Sequence, residues 1–264
     1  MEKLKIPVIG SLEQSYDPSV LDKLRVQTLN KSLGDLTGHH CPQCLNKGFI
    51  AFNREDGQLA TRPCDCMRIR KCVWEMEKSG LQNSIRDMTF DAFQVKEPWQ
   101  QVIRDGAMAY AQEGKGWLLF CGQPGSGKTH LCTAVCRQRL YAGDQVRYLP
   151  WRDKITQIKA CAGDGQRRDE LISGFKEAGV LYIDDLFKSG DAPTAADIAI
   201  AFEIINYRYV NRMPTIISTE RSPQELVSID EATGSRILDC AGSHVYHIGK
   251  DQKRNYRLRH VQSL

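Results

Sequence analysis

The sequence predicts an α/β fold: a parallel sheet with helices on both faces, preceded by a small cysteine-rich module. Three observations lead there. Strand-length apolar runs recur at 117–121, 145–149, 179–184, 214–218 and 244–248. Helical stretches such as 128–141 and 195–211 separate them, and strands alternating with helices build parallel sheets. Finally, five of the ten cysteines crowd into residues 41–72, ahead of all these runs.

The bulk properties agree. A chain of 264 residues suits one large domain, or a core domain with a small appendage. Hydrophobic content of 41% and charged content of 26% are ordinary for a soluble globular protein. A net charge of +4 permits a nucleic-acid surface without demanding one. The opening "MEKLKIPVIGSLEQ" has neither a long apolar run nor a small-residue cleavage site, so no signal peptide is expected. The longest apolar runs are too short to span a bilayer. The expected setting is cytoplasmic, away from membranes, where thiols stay reduced and clustered cysteines point to metal rather than disulfides.

Taken in order, residues 1–40 are polar apart from one amphipathic run, "PSVLDKLRVQTLNKSL", in which Val20, Leu21, Leu24, Val26, Leu29 and Leu33 follow roughly helical spacing. "CPQC" (41–44) and "CDC" (64–66) then frame a 19-residue loop. Four thiolates on two short knuckles, Cys41, Cys44, Cys64 and Cys66, suit tetrahedral Zn²⁺; His39, His40 and Cys72 stand near enough to substitute for one of them. Between the knuckles a hairpin is expected, with Phe49, Ile50 and Phe52 on one side and a turn at "EDG". Residues 73–115 read as helix and linker, so the chain divides into 1–75, a linker at 76–115, and a core at 116–264. Within the core, "TAAD" (194–197) and "SPQE" (222–225) signal helix starts with Thr194 and Ser222 as N-caps.

The chemistry concentrates at strand ends. "GQPGSGKT", Gly122 to Thr129, matches the phosphate-loop pattern in full and lies between a strand and a helix. Its glycines let backbone N–H groups face phosphates, and the following helix adds its positive end. Lys128 is expected to neutralise the β- and γ-phosphates of ATP and Thr129 to hold Mg²⁺. Gly122, Gln123, Pro124, Gly125, Ser126, Gly127 and the neighbouring His130 complete the nucleotide-binding set. "VLYIDD" (180–185) ends a fully apolar strand in two carboxylates. Asp184 is placed to join Thr129 at the metal, and Asp185 to polarise the attacking water. "PTIISTE" (214–220) ends in Ser218, Thr219 and Glu220; Thr219 is the first choice to sense the γ-phosphate, because a bare Glu220 would repel it and act only through water or a cation.

Together "GQPGSGKTHL", "LYIDDL", "NYRYVNRMPTIISTE", "SRILDC" and "GKDQKR" resemble the DnaC-type helicase loaders, AAA+ ATPases related to the transposition helper IstB. The resemblance spans about residues 85–257, and the cysteine module followed by "TFDAF" looks like the phage and Gram-positive branch. It implies an AAA+ core in which Gly122–Thr129 form Walker A, Asp184 and Asp185 Walker B, and Thr219 and its neighbours sensor 1, although Glu220 stands where Asn is common. It implies that Arg236 is an arginine finger reaching into a neighbour's ATP site, and that Arg254 is of the sensor 2 type. Only 16 residues follow Ile248, so the C-terminal lid is expected to be reduced or absent. Arg208 also matches a family pattern, with a structural pairing at its helix end as the alternative.

The implied function is ATP-dependent loading of a replicative, DnaB-like hexameric helicase onto single-stranded DNA, with self-association into an ATP-dependent oligomer and residues 1–75 docking the helicase. At 151–179 the resemblance implies DNA contact, through Trp151, Lys154, Lys159, Arg167 and Arg168, but composition favours a solvated helix face with Ile155, Ile158, Leu171, Ile172 and Phe175 toward the core; the basic stretch 250–260 is a second candidate for phosphate contact. Two other functions compete. One is an IstB-like transposition helper, against which the cysteine module weighs. The other is a zinc-bearing ATP-binding adaptor with little hydrolysis, against which the Asp184–Asp185 pair weighs.

Overall fold

The computed structural model describes residues 18–37, 39–76, 84–188 and 192–258. The chain forms two compact units, one up to Met67 and one from Arg68 onward.

In the smaller unit, helix α1 (Pro18–Lys31) precedes strands β1 (Phe49–Asn53) and β2 (Leu59–Pro63), and helix α2 (Cys66–Met76) begins at its last cysteine. The strands pair antiparallel, with Phe49 opposite Pro63 and Asn53 opposite Leu59. Asn30 fastens α1 to them, its side-chain amide donating to the Ala51 carbonyl and accepting from the Ala51 N–H, both at 2.9 Å. The expected hairpin is present, but its sidedness differs. Successive strand residues face opposite ways, so Phe49 and Ile50 cannot share a face. Ala51 is the buried residue, Ile50 packs on the cysteines, and Phe52 is exposed.

The larger unit continues with α3 (Ser84–Asp87), α4 (Pro98–Glu113), β3 (Trp117–Gly122), α5 (Lys128–Tyr141), β4 (Val146–Pro150), α6 (Trp151–Ala160), α7 (Gly165–Lys176), β5 (Val180–Asp184), α8 (Ala195–Val210), β6 (Thr215–Thr219), α9 (Pro223–Ile229), α10 (Glu231–Ala241) and β7 (Val245–Ile248). The five strands run parallel in the order β4-β5-β6-β3-β7. Every residue of β3, β5 and β6 is buried, as expected for strands covered on both faces. Alternation splits their side chains between two cores: Leu118, Phe120, Tyr182 and Ile216 pack with Leu131 of α5, while Leu119, Ile183 and Ile217 pack with Ile204 of α8 and Ile237 of α10.

The expected helix starts carry reciprocal capping boxes, Thr194 with Asp197 and Ser222 with Glu225. The stretch 76–115, read as linker, instead contributes α4 to the larger unit, burying Ile103, Ala107, Tyr110 and Ala111. After Ile248 the described residues form two 3-10 turns, Gln252–Arg254 and Tyr256–Leu258. None of the described helices is long and apolar enough to cross a membrane.

The 151–179 region follows the solvated-face reading. Trp151 is buried edge-on against Phe187, centroids 5.5 Å apart, and is closed to base stacking. Ile155, Ile158, Ile172 and Phe175 face the core. Lys159 pairs with Asp197 at 2.5 Å and Arg168 with Glu203 at 2.8 Å, while Lys154 is half-buried with its Nζ donating to Gln157 at 3.1 Å and Arg167 is exposed. Arg208 is structural: its guanidinium is fully buried and donates to five oxygens.

Candidate functional site

The phosphate loop joins β3 to α5 at the carboxyl edge of the sheet. Two of its glycines have no substitute. A Cβ on Gly122 (φ 104°) would stand 2.1 Å from the Ile248 carbonyl oxygen, and one on Gly127 (φ 94°) 2.6 Å from the Phe93 ring. Lys128 is buried with its Nζ donating to the carbonyls of Gly122 (2.8 Å) and Gln123 (2.7 Å). Burial lowers the affinity of this ammonium for its proton, against the pull of Glu220 and Asp185.

The loop floors a cavity of about 400 Å³, within the range of small-ligand pockets. One wall is the segment carrying Met88, Phe93 and Glu97; another carries Lys253, Arg254 and Arg257. This second wall is fastened to the loop. Tyr256 N–H donates to the Gly125 carbonyl at 2.9 Å, and the Gln123 side chain donates to the Asp251 carbonyl at 2.6 Å while accepting from the Asp251 N–H. Of the basic residues in 250–260 proposed for DNA phosphates, Lys253, Arg254 and Arg257 therefore border this cavity, while residues 259 and 260 lie outside the described set. Arg254 sits over Trp99 at 5.7 Å and donates to the Gly249 carbonyl. His130 reaches the cavity, with its Nε2 2.7 Å from the Thr89 carbonyl oxygen and its ring edge-on to Phe93.

Asp184 is buried in a shell of hydroxyls. Its Oδ1 accepts from Tyr182 (2.6 Å), Ser218 (2.5 Å) and Thr129 (3.3 Å), and its Oδ2 from Tyr148 (2.9 Å). Burial and the adjacent Asp184 charge push both tyrosine hydroxyls well above their usual range, so they stay donors. The Thr129–Asp184 pair expected at the metal is thus brought together and oriented. Oxygen donors of this kind suit Mg²⁺.

Asp185 follows in the left-handed region (φ 56°), its N–H donating to Ser218 Oγ at 3.0 Å. Its carboxylate enters the cavity lining with Lys188 and Glu220. Thr219 does not. It is fully buried, and its hydroxyl donates to the Leu186 carbonyl at 2.8 Å. Strand alternation explains this correction: Ser218 and Glu220 face the side of β6 that meets Asp184 and the cavity, and Thr219 faces the other. Sequence reasoning also missed Lys188, Tyr148, Tyr182 and the Phe93 wall. Glu220, singled out as needing a cation, was the one pointer to Lys188.

Arg236 is not among the residues lining this cavity. It lies on α10 with its Nη1 donating to the Ala232 carbonyl at 2.6 Å and its guanidinium over the rings of Phe202 (5.3 Å) and Tyr209 (5.4 Å).

In the smaller unit Cys41, Cys44, Cys64 and Cys66 are all buried, with sulfurs within 4.8 Å of one another. Cys41 and Cys64 sulfurs are 3.8 Å apart, and Cys44 and Cys66 3.5 Å. Four sulfurs about 2.3 Å from a shared tetrahedral centre stand about 3.8 Å apart, so the cage has the size of a zinc site. Left-handed Leu45 and Asn46 form the first knuckle, and Gly48 N–H donates to Cys44 Sγ at 3.3 Å. Burial alone would raise the Cys44 thiol, but that N–H and the neighbouring sulfurs bring it down to about 6. His40 is turned to Asn46 instead, and the Cys72 side chain lies outside the described set.

The chain is similar to known proteins in sequence and in fold. The family described as IstB-like ATP binding protein matches residues 58–263. Over 272 residues the chain is 31% identical to the phage-like element PBSX protein XkdC of Bacillus subtilis, covering 97% of each. It is 23% identical over 196 residues to the replicative helicase loader DnaC of Escherichia coli K12, covering 72% of this chain and 78% of that protein. A crystal structure of the DnaC helicase loader superposes with a TM-score of 0.53 at 22% identity, covering 64% of this chain and 99% of the other, a likeness of fold.

Proposed function

The chain belongs to the IstB-like ATP-binding protein family, and from that premise we propose that it is an ATPase that loads a replicative helicase onto single-stranded DNA. The observation that carries this is the division of the site. The cavity gathers the phosphate loop, Lys128, Thr129 and Asp185, with buried Asp184 joined to it through the Thr129 hydroxyl, while Arg236 is held on α10 away from that lining. Such a site would be completed by a second copy, which couples hydrolysis to assembly.

In this reading Lys128 binds the β- and γ-phosphates. Thr129 and Asp184 hold Mg²⁺, which when bound supplies charge neutralisation of the phosphates. Tyr148, Tyr182 and Ser218 fix the Asp184 carboxylate. Asp185 takes the proton of the attacking water, and Arg236 of the neighbouring copy stabilises the charge on the transferring group. Cys41, Cys44, Cys64 and Cys66 hold a structural Zn²⁺, and the unit they shape docks the helicase. The relative named as a replicative helicase loader supports this function. The family description also fits a transposition helper, so the partner assay must discriminate.

The test is to mix the chain with candidate hexameric replicative helicases, single-stranded DNA and ATP. Wild type is expected to capture the helicase and deposit it on DNA. Asp185→Asn is expected to bind ATP and helicase but lose roughly 10²–10⁴-fold in turnover, leaving the complex unreleased. Failure to capture helicase in any nucleotide state, with capture of a transposase instead, would overturn the loader reading. Undiminished turnover in the variant would overturn the role of Asp185.

A further inference from the structure

We infer that Lys188 is the residue that distinguishes ATP from ADP by contacting the γ-phosphate, with Glu220 as the positioning residue that holds it there. This rests on the nucleotide reading of the cavity. Lys188 lines that cavity together with Lys128. Its ammonium bridges two carboxylates from the ends of neighbouring strands, Asp185 Oδ2 at 2.9 Å and Glu220 Oε1 at 2.8 Å.

The backbone is shaped to deliver this side chain. Asp185 and Phe187 both adopt left-handed conformations, φ 56° and 59°, which cost free energy for residues other than glycine. The Lys188 N–H closes the turn on the Asp185 carbonyl at 2.9 Å. Leu186 N–H donates to the Ser218 carbonyl and Thr219 hydroxyl to the Leu186 carbonyl, while Phe187 is buried against Trp151. The turn is therefore over-determined from three sides, and its outcome is to return Lys188 to the strand ends.

Charge makes the bridge necessary. Glu220 beside a polyphosphate would be repulsive by itself, and an ammonium at 2.8 Å cancels it. Burial by itself would lower the Lys188 ammonium, yet the two carboxylates raise it, so it stays charged. An ammonium has three donors. Asp185 and Glu220 engage two, and the third suffices for a phosphate oxygen without breaking the bridge. One cation then ties the γ-phosphate to the carboxylate that handles the water. ADP offers no such oxygen.

The experiment measures ATP and ADP affinity, by competition against a fluorescent nucleotide, for wild type, Lys188→Met and Lys188→Met/Glu220→Gln. Lys188 is 40% exposed, and matching thermal melts confirm that the variants fold. In Lys188→Met, ATP affinity is expected to fall roughly tenfold or more, as for a lost charge-assisted hydrogen bond, with ADP affinity nearly unchanged. The double variant removes the uncompensated Glu220 charge and is expected to keep the ATP defect. Equal losses for both nucleotides, or recovery of ATP preference in the double variant, would show that Lys188 merely neutralises Glu220 and overturn the assignment alone. A wild-type chain that binds neither nucleotide overturns the nucleotide reading as well.

Discussion

Stripping metal from the four-cysteine cage is expected to unfold the unit up to Met67 and leave the larger unit intact. Among the described residues of the smaller unit, the core cluster is the four buried cysteines with Ile50 packed against them, and the sheet is a two-stranded hairpin, which is marginal in water. Structural zinc supplies roughly 10–16 kcal/mol in small zinc domains, far more than this hairpin offers. Without the cation, four clustered sulfurs also repel when ionised. Adding a strong chelator to the full-length chain should abolish amide-exchange protection at Phe49–Asn53 while protection at Val180–Asp184 persists. Cys44→Ser should reproduce the loss. Protection of β1 that survives complete chelation would mean the cage is a set of packed thiols.

Replacing Arg208 should produce the next largest effect, on stability rather than chemistry. Its guanidinium is wholly buried and, among the described residues, has no carboxylate partner. Nε donates to Thr215 Oγ1 (2.9 Å), Nη1 to the carbonyls of Phe175 (3.2 Å), Lys176 (3.0 Å) and Ala178 (2.7 Å), and Nη2 to that of Pro214 (2.5 Å). These carbonyls end α7 and lead into β5 and β6, so one side chain ties a helix end to two central strands. Burial pulls its pKa down to about 10, still charged at neutral pH. Arg208→Met keeps much of the volume but strands buried acceptors, each worth about 1–3 kcal/mol. A loss of about 4–5 kcal/mol is expected, a large part of the stability of an ordinary domain. Arg208→Lys should recover only part, since it lacks the planar fork. Denaturant midpoints measure this; a shift below about 1 kcal/mol, with lost turnover, would instead favour a catalytic Arg208.

These residues mark where sequence was legible. The five strands were readable because parallel strands buried on both faces are continuous apolar runs, and the phosphate loop because its glycines are required by backbone geometry. Asp184 was readable as the polar end of such a run. Thr219 was misassigned because chemistry alone does not reveal which parity of β6 faces β5. Arg208 was legible as a pairing at its helix end, but not its five acceptors, because backbone carbonyls leave no side-chain signature; the Phe93 wall, which works by close packing, was missed for the same kind of reason. Trp151 looked available for stacking until Phe187, 36 positions later, covered it.

In the proposed assembly one copy's cavity works with another copy's Arg236. Mixing two inactive variants tests it most directly. Lys128→Ala has no working cavity but keeps Arg236, and Arg236→Ala keeps the cavity but lacks the arginine. Each should turn over ATP at or near background, with Arg236→Ala still binding ATP as a monomer; in-trans arginines elsewhere are worth roughly 10³–10⁵ in rate. The mixture is predicted to regain turnover that rises with protein concentration. A mixture as inactive as its two components would contradict the account.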